Sequence, residues 1–272
     1  MKPLMPFLIA CLLMIPTAAR ACSVLYYVDP ETGHIYVVNS EDYWLDVEAY
    51  IQIEPPSRQG YARLWYGWDK FAQGGINAQG LFFDAAVTPE QAVPQGTRGP
   101  RKNLGDRLLA ACATVEEALA FLEQEKLALP NSHMMLGDRS GRAVIVEWVD
   151  GERKLHWRTD NALIMTNFLL SRPEAGNYPC PRYQSIERRI AALESDDEPI
   201  SLLSIGNTLG QAVQPARAAA DGRVGGTVYT SFIDLTDGVF VLSYRLSNQN
   251  LVRFDLNEAF AQPKRQTIAL GK

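Results

Sequence analysis

The residue with the clearest catalytic potential is Cys22, because it directly follows a segment with the layout of a secretory signal peptide. Residues 1–21 contain a lysine near the start, an apolar run and the small-x-small ending Ala19-Arg20-Ala21. Cleavage after Ala21 would make Cys22 the first residue of a mature protein that is exported to the periplasm or secreted. Its α-amino group, with a pKa of about 7.7–8.0, could then accept the thiol proton. The nucleophile and its base would belong to one residue, and cleavage would activate it.

Two other interpretations of Cys22 remain open at this point. A cysteine after a signal peptide is also the attachment point of a lipid anchor, and it can lie near the cut by chance. The anchor is less favoured, because Ala19 stands where a lipidation signal usually has leucine and Arg20 fits poorly. A lipid-anchored or soluble binding protein without catalysis is therefore the alternative from another functional class.

The composition argues against several classes of protein. The 272 residues are 47% hydrophobic and 21% charged with a net charge of −5, so no nucleic-acid partner is expected. After residue 21 no run of 18 apolar residues occurs, which excludes a further membrane-spanning helix. The three histidines, His34, His133 and His156, lack metal-ligand spacing, and the sequence contains no Gly-x-Ser-x-Gly, His-Glu-x-x-His or Gly-x-x-x-x-Gly-Lys motif. The sequence thus predicts neither a metal nor a cofactor.

Three cysteines would remain after the signal peptide is removed. An odd number in an exported protein indicates one free thiol. Cys112 and Cys180 are either buried thiols or a disulfide pair, and the sequence does not decide between them.

The order of predicted elements favours one α+β domain over residues 22–272. Antiparallel hairpins are expected at both ends of this region, with helices grouped between them, which is typical of an α+β sandwich rather than a parallel sheet. The predicted strands cover residues 22–28, 34–39, 48–54, 62–68, 80–87, 134–137, 143–149, 154–158, 162–166, 228–235, 239–245 and 251–256. The predicted helices cover residues 104–111, 118–127, 182–193 and 201–213, with loops at 89–102 and 215–226.

Several short segments, in order along the mature chain, form a further pattern. They are Cys22-Ser-Val, Asn39-Ser-Glu-Asp42-Tyr-Trp44, Gly74-Gly-Ile-Asn77-Ala-Gln-Gly80-Leu-Phe-Phe-Asp84, Thr166-Asn167-Phe168, Pro181-Arg182-Tyr183 and Tyr229-Thr230-Ser231. Together they resemble the motifs of the choloylglycine hydrolase and penicillin V acylase-like family of N-terminal-nucleophile hydrolases. The resemblance implies a four-layer αββα sandwich that cleaves a linear, non-peptide amide of an N-acyl substrate without a cofactor. An acyltransferase of the same fold is the alternative among enzymes, and a homo-oligomer is compatible with the family.

The resemblance also implies roles for individual residues. Cys22 would be the nucleophile and, through its amine, the base. Asp42 would hydrogen-bond the thiol or the amine, with Glu41 taking this role if the alignment is shifted by one residue. The oxyanion would be bound by the Asn167 side chain and the backbone N–H of Val87. Arg182 would hold the acidic groups around the nucleophile.

Two features depart from the family or stay open. The arginine that the family places three residues before its catalytic aspartate is Asn39 here, which puts bile-salt activity in doubt. Asn77 beside Gly80 is expected to form a turn rather than to act in catalysis. The aromatic side chains Trp65, Trp68 and Phe82 are candidates for the acyl-binding site, although large aromatic residues are most often part of a core.

Overall fold

The computed structural model describes residues 22–58, 60–176, 178–196 and 198–271, so the predicted signal peptide lies outside the described residues. Within these ranges, no helix is long and apolar enough to cross a membrane.

The first of two antiparallel sheets contains the N-terminal hairpin and the C-terminal strands. Its spatial order is β10-β1-β2-β12-β13-β14, and the short β11 pairs with β12. Both faces of β1 are buried, since Val24 and Tyr26 point to one side and Leu25 and Tyr27 to the other. The strands are β1 (Ser23–Val28), β2 (Ile35–Trp44), β10 (Ala162–Met165), β11 (Arg217–Ala218), β12 (Val224–Asp234), β13 (Val239–Tyr244) and β14 (Leu251–Asp255).

The second sheet is formed mainly by the middle of the chain. Its order is β15-β3-β4-β5-β6-β7-β8-β9, so consecutive strands are neighbours from β3 to β9. The strands are β3 (Tyr50–Glu54), β4 (Arg63–Trp68), β5 (Phe71–Asn77), β6 (Phe82–Val87), β7 (Ser132–Gly137), β8 (Ala143–Val149), β9 (Glu152–Trp157) and β15 (Gln266–Ala269).

The helices cover the outer faces of the two sheets. The side chain of Thr114 accepts a hydrogen bond from the N–H of Glu117, and this cap starts a helix at Val115, three residues earlier than predicted. The predicted helix at 201–213 is a short α-helix continued by a 3-10 turn over Thr208–Gln211. The helices are α1 (Leu104–Ala111), α2 (Val115–Gln124), α3 (Pro181–Glu194), α4 (Leu202–Asn207) and α5 (Leu256–Phe260).

Three apolar cores define four layers. One core lies between the sheets and includes Val24 and Met135, a second joins α1 and α2 to the second sheet, and a third joins α3 and α4 to the first sheet. Burial of each large apolar side chain stabilises the fold by about 1.5–3 kcal/mol. A strand that is apolar on both faces therefore needs a packed layer of helices or strands on each side of its sheet. The predicted α+β sandwich with αββα layers is confirmed.

Candidate active site

Strand register brings Cys22 between two polar segments that are distant in sequence. Strand β1 pairs with β2 so that Ser23 is opposite Ser40, and with β10 so that Val24 is opposite Met165. Continuing the β1–β2 register by one residue and the β1–β10 register by two residues places Cys22 between Glu41 and Asn167. The chain therefore assembles this site at the edge of the first sheet where β1 begins.

The thiol of Cys22 is buried and hydrogen-bonded. Its Sγ donates to Glu41 Oε1 over 3.0 Å, and the residue is 3% exposed. Burial raises the pKa of the Cys22 thiol well above its usual value, the charges of Glu41 and Asp42 raise it further, and the Asp42 backbone N–H partly opposes them. The thiol thus needs a base to become a nucleophile.

The expected hydrogen bond from the thiol to the Asp42 carboxylate is corrected, because Glu41 occupies that position. Successive side chains of a strand point to opposite faces of the sheet. On β2, Glu41 points to the face on which the Cys22 side chain lies. Asp42 points to the helix-covered face, where Oδ1 accepts hydrogen bonds from Thr227 and Ser40. Its Oδ2 is buried and has no hydrogen-bond partner among the described residues. The expected interaction of Asp42 with the mature α-amino group stays a prediction.

Both neighbouring carboxyl groups tend to keep their protons. Burial raises the pKa of Glu41 to about 8, the hydrogen bond from Cys22 lowers it, and the charge of Asp42 raises it. Burial raises the pKa of Asp42 to about 7, while the Thr227 hydrogen bond and the charge of Arg182 lower it. A neutral Glu41 favours catalysis, because an ionised one would disfavour a thiolate beside it.

A buried polar cluster, which the sequence did not indicate, lies behind Glu41 between the sheets. The Asn39 side-chain amide donates to Asp84 Oδ2 over 2.9 Å and to Glu41 Oε2 over 3.4 Å. Ser231 Oγ lies 2.6 Å from Asn39 Oδ1 and 3.1 Å from the Tyr66 hydroxyl, and its single proton can be donated to one of these oxygens at a time. The Tyr66 hydroxyl donates to Asp84. Burial, together with the charge of Glu41, raises the pKa of Asp84 well above its usual range. The neutral side-chain amide of Asn39, rather than a cation, therefore joins the carboxyl groups of Glu41 and Asp84, which both retain protons.

The side-chain amide of Asn167 is fixed in orientation. Arg182 Nη2 donates to Asn167 Oδ1 over 2.9 Å, and Asn167 Nδ2 donates to the Val87 carbonyl over 2.8 Å. Because a guanidinium can only donate, the oxygen end of the amide must face Arg182. One N–H of Nδ2 is used by Val87, and the second has no acceptor among the residues that the structure describes.

The backbone of Val87 points to the same side as Asn167. Thr88 donates its N–H to Asn131, on the side of β7, and successive peptide groups of a strand alternate in direction. The N–H of Val87, like its carbonyl that accepts from Asn167, therefore points away from β7. This direction is the one that the predicted oxyanion donor requires.

Arg182, at the N-terminal end of α3, connects the strand start to the amide. Its Nη1 donates to the Cys22 carbonyl over 2.6 Å and to Ser23 Oγ over 2.8 Å, while Nη2 binds Asn167. One planar guanidinium thus fixes the backbone of Cys22 relative to the side-chain amide of Asn167.

Comparison with known proteins identifies the family of this chain. The family model described as acyl-coenzyme A:6-aminopenicillanic acid acyl-transferase matches residues 29–243. The chain belongs to this family. The resemblance to the choloylglycine hydrolase and penicillin V acylase-like family is confirmed. The matched range begins after Cys22, so the family assignment does not depend on that residue.

Individual relatives support the same family and fold. A penicillin V acylase from Pectobacterium atrosepticum is 28% identical over 186 aligned residues, covering 54% of this chain and 49% of the relative, so the chain spans about half the length of that protein. The structure of penicillin V acylase from Agrobacterium tumefaciens aligns with a TM-score of 0.71 and 19% identity over 90% of both chains. A mutant conjugated bile acid hydrolase from Clostridium perfringens aligns with a TM-score of 0.68 and 16% identity over 90% of this chain and 96% of that one. At such identities the structural likeness establishes the fold.

The three aromatic candidates for an acyl site lie on two different faces of the second sheet. Trp65 is wrong as a candidate, because its side chain points to the core beneath α1 and α2, on the opposite face of the second sheet from Cys22. Phe82 is fully buried between the sheets. Trp68 also faces the space between the sheets, where its ring stacks on Tyr43 at 4.9 Å and lies 6.1 Å from Tyr229. Trp68 is therefore the remaining candidate.

The other polar residues considered from the sequence have structural roles. Asn77 accepts the N–H groups of Gln79 and Leu81 and donates to the carbonyls of Leu109 and Cys112, as a turn-forming residue does. Cys112 and Cys180 are buried free thiols. They belong to different layers, since Cys112 packs under α1 and Cys180 precedes α3.

In the described part of the chain, one group of side chains could hold a metal ion. His34, Asp234 and Asp237 place a ligand atom each within 4.8 Å of one another. They lie at the two hairpin turns near the end of β1 opposite Cys22, so a cation there would not contact the reacting thiol.

Proposed function

We propose that removal of residues 1–21 yields an exported amidase that hydrolyses a linear, non-peptide amide of an N-acyl substrate. The observation that carries the proposal is the strand register that places Cys22 beside Asn167, whose amide is oriented by Arg182 and by the Val87 carbonyl. A nucleophile beside two convergent N–H donors is the arrangement that acyl transfer from an amide requires. The named relatives, a penicillin V acylase and a conjugated bile acid hydrolase, support this class of substrate.

In the first half of the proposed reaction, the α-amino group of Cys22 takes the thiol proton while Sγ attacks the amide carbon. The carbonyl oxygen becomes an oxyanion and is bound by Asn167 Nδ2 and the N–H of Val87. When the C–N bond breaks, the α-ammonium returns the proton to the leaving amine. The products of this half are a free amine and an acyl group attached to sulfur as a thioester.

In the second half, the α-amino group takes a proton from water while the water oxygen attacks the thioester carbon. The same two donors bind the second oxyanion. Collapse of this intermediate breaks the C–S bond, releases the carboxylic acid and restores the thiol, with the amine returning its proton to sulfur. Glu41 orients Sγ throughout, and Arg182 keeps the cysteine backbone and Asn167 in register.

The experiment is turnover of a panel of N-acyl amides by the mature protein, with penicillin V, glycine- and taurine-conjugated bile acids and simple N-acyl amino acids as members. We expect hydrolysis of at least one member by the wild type and none by Cys22→Ala. Cys180→Ser is the matched control, because Cys180 is another buried free thiol at the start of α3, and this variant should keep full activity. Full activity of Cys22→Ala would refute the proposed nucleophile.

An acyltransferase is the second candidate, favoured by the acyl-transferase description of the matching family. In that case an amine rather than water would attack the thioester. Adding 6-aminopenicillanic acid together with an acyl donor distinguishes the two functions. A hydrolase releases mainly the free acid, whereas an acyltransferase forms the new amide at the expense of the acid.

A further inference from the structure

A fully buried acidic and basic pair lies beside the segment that carries Asn167. His133 on β7 and Glu147 on β8 are both 0% exposed, and their Nδ1 and Oε1 atoms are 3.1 Å apart. The other ring nitrogen, Nε2 of His133, lies 2.6 Å from the carbonyl oxygen of Thr166. The second sheet thus contacts the residue directly before Asn167.

Both ring nitrogens of His133 lie against oxygen atoms of the protein. A carbonyl oxygen can only accept, so Nε2 must carry a proton. Burial opposes ionisation of Glu147, but hydrogen bonds from His133, His156 and the Ser171 N–H outweigh burial and hold the pKa of Glu147 well below its usual range. Its carboxylate is therefore also an acceptor, and both ring nitrogens of His133 face acceptor oxygens.

Glu147 binds the far end of the same segment. Its Oε1 accepts the N–H of Leu170 over 2.7 Å, and its Oε2 accepts the N–H of Ser171 over 2.9 Å. Nε2 of His156 on β9 contacts Glu147 Oε2 at 3.1 Å and Ser171 Oγ at 2.8 Å. Residues 166 and 170–171 are thus both attached to the pair, and Asn167 lies between these attachment points.

We propose that His133 and Glu147 are positioning residues that hold the Asn167 amide at the site, an inference that rests on the proposed function. A buried ion pair contributes little net stability compared with apolar residues of similar volume, because both charges lose their hydration. The pair serves to position residues 166–171, because this segment has no regular secondary structure and carries Asn167, the proposed oxyanion donor. Two side chains on rigid strands hold that segment at both ends through the contacts with Thr166, Leu170 and Ser171.

The structural half of the proposal is tested in the wild type by nitrogen-15 NMR of labelled histidines at about pH 7. We expect directly bonded protons on both ring nitrogens of His133, assigned by the loss of these signals in His133→Gln. We also expect dispersed, slowly exchanging side-chain amide signals from Asn167. A single protonated ring nitrogen on His133 would overturn the proposal without reference to activity.

The functional half is tested by Glu147→Gln, which keeps the shape of the side chain and removes its charge. We expect kcat to fall about 10–100-fold with KM within about threefold, because a shift of about 1 Å in a catalytic group has effects of this size. The Asn167 amide signals should also lose their slow exchange. Glu152→Gln is the matched control, because Glu152 lies on the surface of the same β8–β9 hairpin and pairs with Lys154.

The outcomes separate this inference from the proposed function. If wild-type turnover depends on Cys22 but Glu147→Gln keeps kcat within about threefold, the positioning role is refuted and the amidase stands. If no turnover depends on Cys22, the amidase fails, and the Asn167 signals in Glu147→Gln still decide whether the pair holds that side chain. Unchanged slow exchange in this variant would refute the positioning role on its own.

Discussion

Replacing Asn167 by alanine removes one of the two proposed oxyanion donors and leaves the other in place. The side chain is 6% exposed and makes two hydrogen bonds, one from Arg182 and one to Val87. Loss of one oxyanion donor typically costs about 2.7–4 kcal/mol in the transition state, so we expect kcat to fall about 10²–10³-fold with little change in KM. The two lost hydrogen bonds cost about 1–4 kcal/mol of unfolding free energy in addition.

The assay is steady-state hydrolysis of the best amide in the panel, measured below the thermal transition of each variant. A loss of 1 kcal/mol lowers Tm by about 2–4 °C in a domain of this size, so the folded fraction is checked by thermal unfolding. Asn161→Ala is the matched control, because Asn161 is at the other end of β10 and its amide donates to Glu194. A folded Asn167→Ala variant with kcat within about threefold of wild type would refute the role of Asn167.

Three further predictions concern neighbouring groups. Glu41→Gln should alter the pH profile of kcat, because it replaces the carboxyl group that accepts the hydrogen bond from the Cys22 thiol. Identical pH profiles for the wild type and Glu41→Gln would contradict this prediction. A role of Asp42 at the α-amino group predicts instead that Asp42→Asn mainly lowers kcat. Arg182→Lys should lower kcat about tenfold or more, since one ammonium group cannot replace the two guanidinium nitrogens that bind Cys22 and Asn167. Arg188→Lys, on the exposed face of α3, is the control. Glu41 alone should lower the unfolding free energy by up to about 1.4 kcal/mol per pH unit as pH rises from about 4.5 to 8, because its pKa of about 8 in the folded chain keeps a proton that the unfolded chain releases. The raised pKa values of Asp42 and Asp84 add to this fall. Denaturant unfolding at several pH values checks this, and an equally steep fall in Glu41→Gln would contradict the assignment.

The sequence predicted the layers and the regions of the site better than the direction of each side chain. Apolar residues on both faces of β1 and β8 require layers on both sides, so the αββα order follows from local patterns. Glu41 and Asp42 are adjacent, and an error of one residue in the alignment exchanges the face that each one occupies. The same parity separates Trp65, under the helices, from Trp68, which lies between the sheets.

The long-range polar contacts were not accessible from the sequence. Asp84 lies in an apolar strand, and only the stacking of the two sheets brings it to Asn39. His133 and Glu147 appear as ordinary strand residues until β10 and its following segment are placed beside β7 and β8. The one available signal was an acidic residue within an otherwise apolar strand, Asp84 in β6 and Glu147 in β8. Such a residue indicates a buried polar partner, because burial of a carboxylate without a partner is costly.

The central claim, that Cys22 is the N-terminal nucleophile, is tested most directly by intact mass spectrometry of the exported protein before and during turnover. The proposed mechanism predicts a chain that begins at an unmodified Cys22. During reaction with a hydrolysed amide it should gain the mass of the acyl group, located on Cys22 by peptide mapping and removable by hydroxylamine. A diacylglyceryl group on Cys22, a different first residue, or an acyl group on another side chain would contradict it.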